Sequence, residues 1–146
     1  MKSLDEEVGF LTVRTSRQLS QFLTLSLKPF EITIEQWGVL KRLEKQVLLT
    51  QKQLAEKSMK DHATLTKILD LLEKRSLIQR LPNPEDRRSF LIEITEKGIS
   101  LKDELFPFVE RVFTEVIEGI EADQLAIYQK VMNQLEKNIQ HLTAEK

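Results

Sequence analysis

Apolar residues recur at helical spacing along most of the chain, and the pattern changes to that of strands only between residues 78 and 94. Leu4, Val8, Leu11, Phe22 and Leu25 lie on one stripe, which predicts a single long helix from Leu4 to Leu27, stopped soon after by Pro29. Thr33 with Gln36 is a reciprocal start signal for a second helix, lined inside by Trp37, Leu40 and Leu43. The same signal returns at Thr50 and Gln53, ahead of a short helix with Leu54 and Ala55 inward. After a turn at residues 57–60, Asp61 is placed to cap a helix whose Leu65, Ile68, Leu69 and Leu72 fall at i, i+3, i+4 and i+7. At 100° per residue, the side opposite that stripe presents Ala63, Lys67, Asp70 and Lys74, with Thr64 and Thr66 on its flanks.

Next comes a charged hairpin. Ile78 to Leu81 forms one strand, Pro82 to Asp86 a turn, and Phe90 to Ile94 the returning strand, with Phe90, Ile92 and Ile94 on one side. Arg87 and Arg88 stand where the turn rejoins the strand, and Asp86 is poised to orient one guanidinium by a charge-assisted bond. Thr95 then caps a long helix from Glu96 towards Ile117, interrupted by Pro107, which either bends it or divides it in two. Its residues Phe106, Phe108, Val109, Val112, Phe113, Val116 and Ile117 are too many apolar groups for one buried side. The last helix, Asp123 to about Leu142, carries Leu125, Tyr128, Met132, Leu135, Ile139 and Leu142 in a heptad seam.

This order predicts a mainly α chain with a small β-hairpin wing. A winged helix-turn-helix occupies residues 31–97, flanked by a helical dimerisation region from residues 1–30 and 98–146, as one intertwined unit. The terminal helices carry more apolar stripe than a reading head of about 45 residues can bury, which points to a homodimer. Its seam residues would be Leu4, Val8, Leu11, Leu125, Tyr128, Met132, Leu135, Ile139 and Leu142, although packing of the last helix on the first within one subunit uses the same seam.

A helix face of small, hydroxyl and cationic groups suits the major groove, and an arginine-bearing loop suits a phosphate ridge or a narrow minor groove. The DNA-contact candidates are His62, Thr64, Thr66, Lys67, Asp86, Arg87 and Arg88. The same face also fits a plainly solvated helix. With the hairpin beside it, the chain resembles the MarR family of transcriptional regulators. That family's wing signature is matched by Asp86, Arg88, Ile94 and Thr95, with isoleucine in place of leucine. Residues 64–75 resemble its recognition helix, residues 77–80 the exit into the wing, and Thr33, Gln36, Val39 and Leu40 the earlier helix. Ser76 departs from the pattern, standing where the family usually has a helix-closing glycine. Either serine takes the left-handed conformation, at up to roughly 1 kcal/mol, or the helix ends another way.

The resemblance implies a homodimeric, sequence-specific regulator of double-stranded DNA, most simply a repressor on a pseudopalindromic operator. It also implies control by a small, often aromatic or anionic, effector held between the reading heads and the dimer region. Phe22, Trp37 and Phe106 are the aromatic candidates for its walls, with core packing the competing role for each. A second class of function is a winged-helix protein–protein interaction module without specific DNA binding.

Composition narrows the alternatives. The net charge is −1, yet residues 50–95 hold nine basic against seven acidic side chains, and residues 74–88 five against two. Weak non-specific and usable specific DNA binding is the expectation. Cysteine is absent, so no disulfide or thiol-redox site exists. The two histidines, His62 and His141, form no persuasive metal spacing. The four glycines make no phosphate loop and no nucleophile–base pair stands out, so neither a cofactor nor an enzyme is expected. No apolar run can span a membrane, and the acidic start is unlike a signal peptide, which points to the cytoplasm.

Overall fold

Among the described residues, 3–146 of a computed structural model, the elements run α1 (Leu4–Leu27), a 3-10 turn (Lys28–Phe30), α2 (Ile34–Leu40), β1 (Leu49–Thr50), α3 (Gln51–Ser58), α4 (His62–Lys74), β2 (Ile78–Pro82), β3 (Phe90–Ile94), α5 (Glu96–Val116) and α6 (Ala122–Ala144). This is a winged helix fold, mainly helical with one small antiparallel sheet. No described helix is long and apolar enough to cross a membrane.

The helix starts follow from side chains that satisfy free amides. Ser3 Oγ accepts the Glu6 N–H at 3.1 Å. Thr33 and Thr50 both close full capping boxes, with Gln36 and Gln53 returning the bond to the cap's own N–H at 3.1 and 2.9 Å. Helix α3 stops because Met59 turns left-handed, with φ 56°, which frees Asp61 to start α4 three residues after α3 ends.

The chain divides into two compact units, Met1–Phe108 and Val109–Lys146. In the first, Val39, Leu40, Leu43, Leu54, Leu65, Leu69 and Leu72 are fully buried, and Leu77, Ile78 and Ile92 extend that core beneath the sheet. Each such side chain contributes about 1.5–3 kcal/mol relative to exposure. The sheet order is β1-β3-β2, with Leu49 opposite Ile92 and Ile78 opposite Ile94. Strand β1 was not expected, because two residues show no period. Phe90 is half exposed at the end of β3, while Ile92 and Ile94 are buried as the alternation requires. Helix α5 runs through Pro107 as one element, so the proline does not divide it in two, although its missing N–H removes one backbone bond. In the second unit Val109 and Val112 are buried, whereas α6 has no buried residue.

The end of α4 resolves the question raised by Ser76. Its φ is 61°, its N–H donates to Glu73 O at 2.9 Å, and the Leu77 N–H donates to Leu72 O at 3.0 Å. These are the two bonds of a left-handed helix closure. Ser76 O then accepts the Thr95 hydroxyl at 2.6 Å, and Thr95 Oγ1 accepts the Gly98 N–H at 3.0 Å. Gly98 has to be glycine at this junction, since a Cβ there would lie 2.2 Å from Leu77 O. Replacing Ser76→Gly removes the left-handed penalty without touching these backbone bonds. Stability should rise by about 0.5–1 kcal/mol, seen as a higher urea midpoint with an unchanged slope.

Candidate nucleic-acid interface

Asp61 fixes the leading end of α4. Its Oδ1 accepts the Thr64 N–H at 2.7 Å and its Oδ2 accepts the Thr64 hydroxyl at 3.0 Å. Those bonds, the backbone one first, hold its carboxyl below the ordinary value of 3.8. His62, Ala63, Thr64 and Lys67 are exposed on the outward side. Thr66 is half buried: its hydroxyl donates to His62 O at 2.9 Å and accepts from Gln51 Nε2 at 2.7 Å. The same Gln51 amide lies 3.3 Å from His62 Nδ1, so a residue at the start of α3 buttresses two candidates on α4.

The wing is tied to α4 by Arg80 on β2. Its guanidinium donates to Glu73 Oε1 at 2.8 Å and to Asp70 Oδ1 at 2.7 Å, while its backbone N–H donates to Glu73 Oε2 at 3.1 Å. The Arg80 side chain is only 16% exposed. Asp70, expected on the open face, is therefore drawn to the wing and its charge is compensated.

The wing tip is built from two side-chain turns. Asn83 Oδ1 accepts the Glu85 N–H at 3.0 Å, and Asp86 Oδ1 accepts the Arg88 N–H at 2.9 Å. This corrects the expectation for Asp86. It shapes the loop through the Arg88 backbone and, among the described residues, makes no bond to a guanidinium. Arg87 and Arg88 are exposed and, among the described residues, form no ion pair. Between α4 and the wing lies a groove of about 760 Å³, lined by Gln51, His62, Thr66, Asp70, Arg80 and Arg88 among others. Of the seven candidates read from the sequence, His62, Thr66, Asp86 and Arg88 line this groove, whereas Thr64, Lys67 and Arg87 are exposed on α4 and the wing without lining it. Gln51 and Arg80 were missed. Arg80 carried a sign only as one more positive charge in the hairpin, and Gln51 resembled a plain first-turn residue.

The aromatic candidates separate. Trp37 is 3% exposed, in keeping with a core role, and its ring meets Phe106 edge-on at 6.2 Å, whereas Phe22 is 41% exposed on α1. Of the seam residues, Leu4, Val8, Leu11, Tyr128, Ile139 and Leu142 are exposed, and Leu125, Met132 and Leu135 are half buried. Among the described residues no three His, Cys, Asp or Glu side chains are grouped to hold a metal ion.

Comparison with known proteins agrees with this geometry. The model of the MarR family matches residues 32–90. The HTH-type transcriptional regulator SarZ of Staphylococcus haemolyticus is 31% identical over 112 residues, covering 77% of this chain and 76% of that protein. A cysteine-to-serine mutant of MarR from E. coli, solved in complex with operator DNA, is 25% identical with a TM-score of 0.80, over 92% of this chain and 99% of that one. BpsR of Bordetella bronchiseptica, whose DNA binding is regulated by 6-hydroxynicotinic acid, shares the fold at 22% identity and a TM-score of 0.78, over 89% and 98% of the two chains.

Two variants probe the geometry. Because the Asp61 carboxyl is depressed when folded, its contribution is fully present above the ordinary value of 3.8 and disappears as pH falls through the lower folded value. Asp61→Asn should therefore lose less stability than the wild type on acidification over that window, measured by thermal melts at stepped pH. Arg80→Ala leaves Glu73 and Asp70 without their cation, and should cost about 1–2 kcal/mol after allowance for solvent screening, with earlier amide exchange in β2.

Proposed function

Because the chain belongs to the MarR family of transcriptional regulators, we propose that it acts as a homodimeric, sequence-specific DNA-binding repressor. One observation carries this reading: a cationic and hydroxyl-bearing helix face is locked through Arg80 to a wing that presents two unpaired arginines. In this reading α4 lies in a major groove, with Thr64 and Lys67 near its leading end towards base edges and phosphates and His62 beside the backbone. Thr66, held by Gln51, sets the depth of entry. Arg88, with Arg87 beside it, meets the adjacent minor groove, and Asp86 holds the loop that aims them. Residues 31–97 serve as the reading head, and residues 1–30 and 98–146 supply the dimer contacts through Leu4, Val8, Leu11 and the α6 seam.

Two-fold symmetry then calls for half-sites about one helical turn apart, roughly 34–36 Å. A small effector acts by favouring one separation of the two heads, and shifts the equilibrium only by its differential affinity. The Trp37–Phe106 pair and Phe22 are the aromatic groups this reading offers to such a ligand.

Purified protein should select discrete genomic fragments, and log affinity should fall linearly with log salt concentration. Arg88→Ala should weaken binding on every sequence and flatten that slope by about one unit per lost phosphate contact. Lys67→Ala should instead relax discrimination at one or two positions. Binding indifferent to both salt and Arg88 would leave the protein-interaction module as the better reading.

A further inference from the structure

Helix α4 buries Leu65, Ile68, Leu69 and Leu72, and each of the four is no more than 7% exposed. Leu71 is the exception among its large apolar residues, at 50% exposure. It stands at i+4 from Lys67 and i+7 from Thr64, so these three share the outward row of the helix. Its polar neighbours on either flank are already engaged. Asp70 is bonded to Arg80 at 2.7 Å, and Arg75 donates to the carbonyls of Phe30 and Glu31. What remains on the open row is hydroxyl, ammonium, isobutyl and ammonium: Thr64, Lys67, Leu71 and Lys74.

Resting on the DNA-binding reading above, we propose that Leu71 is a specificity-determining residue that recognises a thymine by its C5-methyl group. The base edges of the major groove offer a single apolar group, the pyrimidine C5-methyl, which in unmodified DNA only thymine carries. A leucine placed between Lys67 and Lys74 is surrounded by positive charge, which favours a duplex over an apolar protein surface as its occupant. Neither lysine can tell thymine from cytosine by its methyl group, whereas a leucine gains contact area only from the base that has one. Leu71 therefore adds a preference for thymine beyond the reach of the base contacts assigned to Thr64 and Lys67, one to two helical turns further along α4.

The test uses the full chain and an operator duplex recovered from random-sequence DNA by repeated selection. Each thymine of one half-site is replaced in turn by deoxyuridine, which deletes the methyl group and leaves the Watson–Crick edge intact. At one position the wild type should bind about fourfold more weakly, the loss expected for one methyl group left unburied. Leu71→Ala should bind the thymine duplex several-fold more weakly and no longer distinguish thymine from uracil there. Leu71→Gln, similar in length but polar, should share that indifference. Alanine and glutamine are both good helix formers and the side chain is exposed, so equal melting temperatures separate a lost contact from a damaged helix. Salt-dependent operator binding without any uracil-sensitive position, or with one that persists unchanged in Leu71→Ala, overturns this assignment and leaves the regulator reading standing. Absence of salt-dependent binding altogether sinks the regulator reading itself.

Discussion

A single guanidinium sets the distance between the wing and the helix beside it. Arg80 lies on β2, opposite Ile92 of β3, and its planar fork reaches Glu73 and Asp70, one turn apart on α4. A lysine could meet one carboxylate from that strand but not two in fixed directions, because its ammonium has no fork. The Glu73 carboxylate also takes the Arg80 backbone N–H, so strand, side chain and helix are tied at one point. This arrangement neutralises two acidic groups on α4 beside the wing. Lys67 and Lys74 on the outward side of α4, and Arg87 and Arg88 on the wing, are exposed and form no ion pair among the described residues.

That clamp works only because both ends of α4 are held. At the start, Asp61 and the Gln51 amide fix the first two turns. At the end, the left-handed Ser76 sends the chain directly into β2, and Thr95 and Gly98 pack α5 against the same corner. The buried leucines then fix the rotation of α4 about its own axis, since four apolar positions on one side leave little choice about which residues face outward. The outward row is thus a consequence of core packing, and its chemistry is free to serve recognition.

Features that depend on neighbours within four residues were legible in the sequence. The limits of α1, the capping boxes at Thr33 and Thr50, the Asp61 cap and the outward row of α4 all follow from short-range rules. The features that escaped are longer in range. Gln51 reaches Thr66 across fifteen residues and Arg80 reaches Asp70 across ten, and no local pattern links them. Strand β1 exists because β3 offers it an edge, so its two residues have no signature of their own. Asp86 was misjudged for a different reason. A carboxylate beside two arginines looks like half of an ion pair, but the N–H two residues ahead is closer and already oriented.

The terminal helices put the opposite demand on the chain. Helix α1 buries only Leu23 and Leu27, and α6 buries nothing, while Leu4, Leu25, Tyr128, Ile139 and Leu142 each remain more than half exposed. Large apolar side chains exposed in that number leave the terminal helices without the burial that the core of the first unit has. In the proposed dimer the partner is a second copy, and the electrostatics give a reason for pairing beyond burial. With net charge −1 and a mild local excess of cations, one subunit alone would be expected to grip DNA weakly. Joining two heads turns the second encounter into an intramolecular step, so modest half-site affinities multiply when the spacing matches and fail to when it does not. In such a dimer selectivity would reside in the separation of the heads, and a near-neutral protein would gain specific affinity without a large charge that would hold it to every duplex it meets.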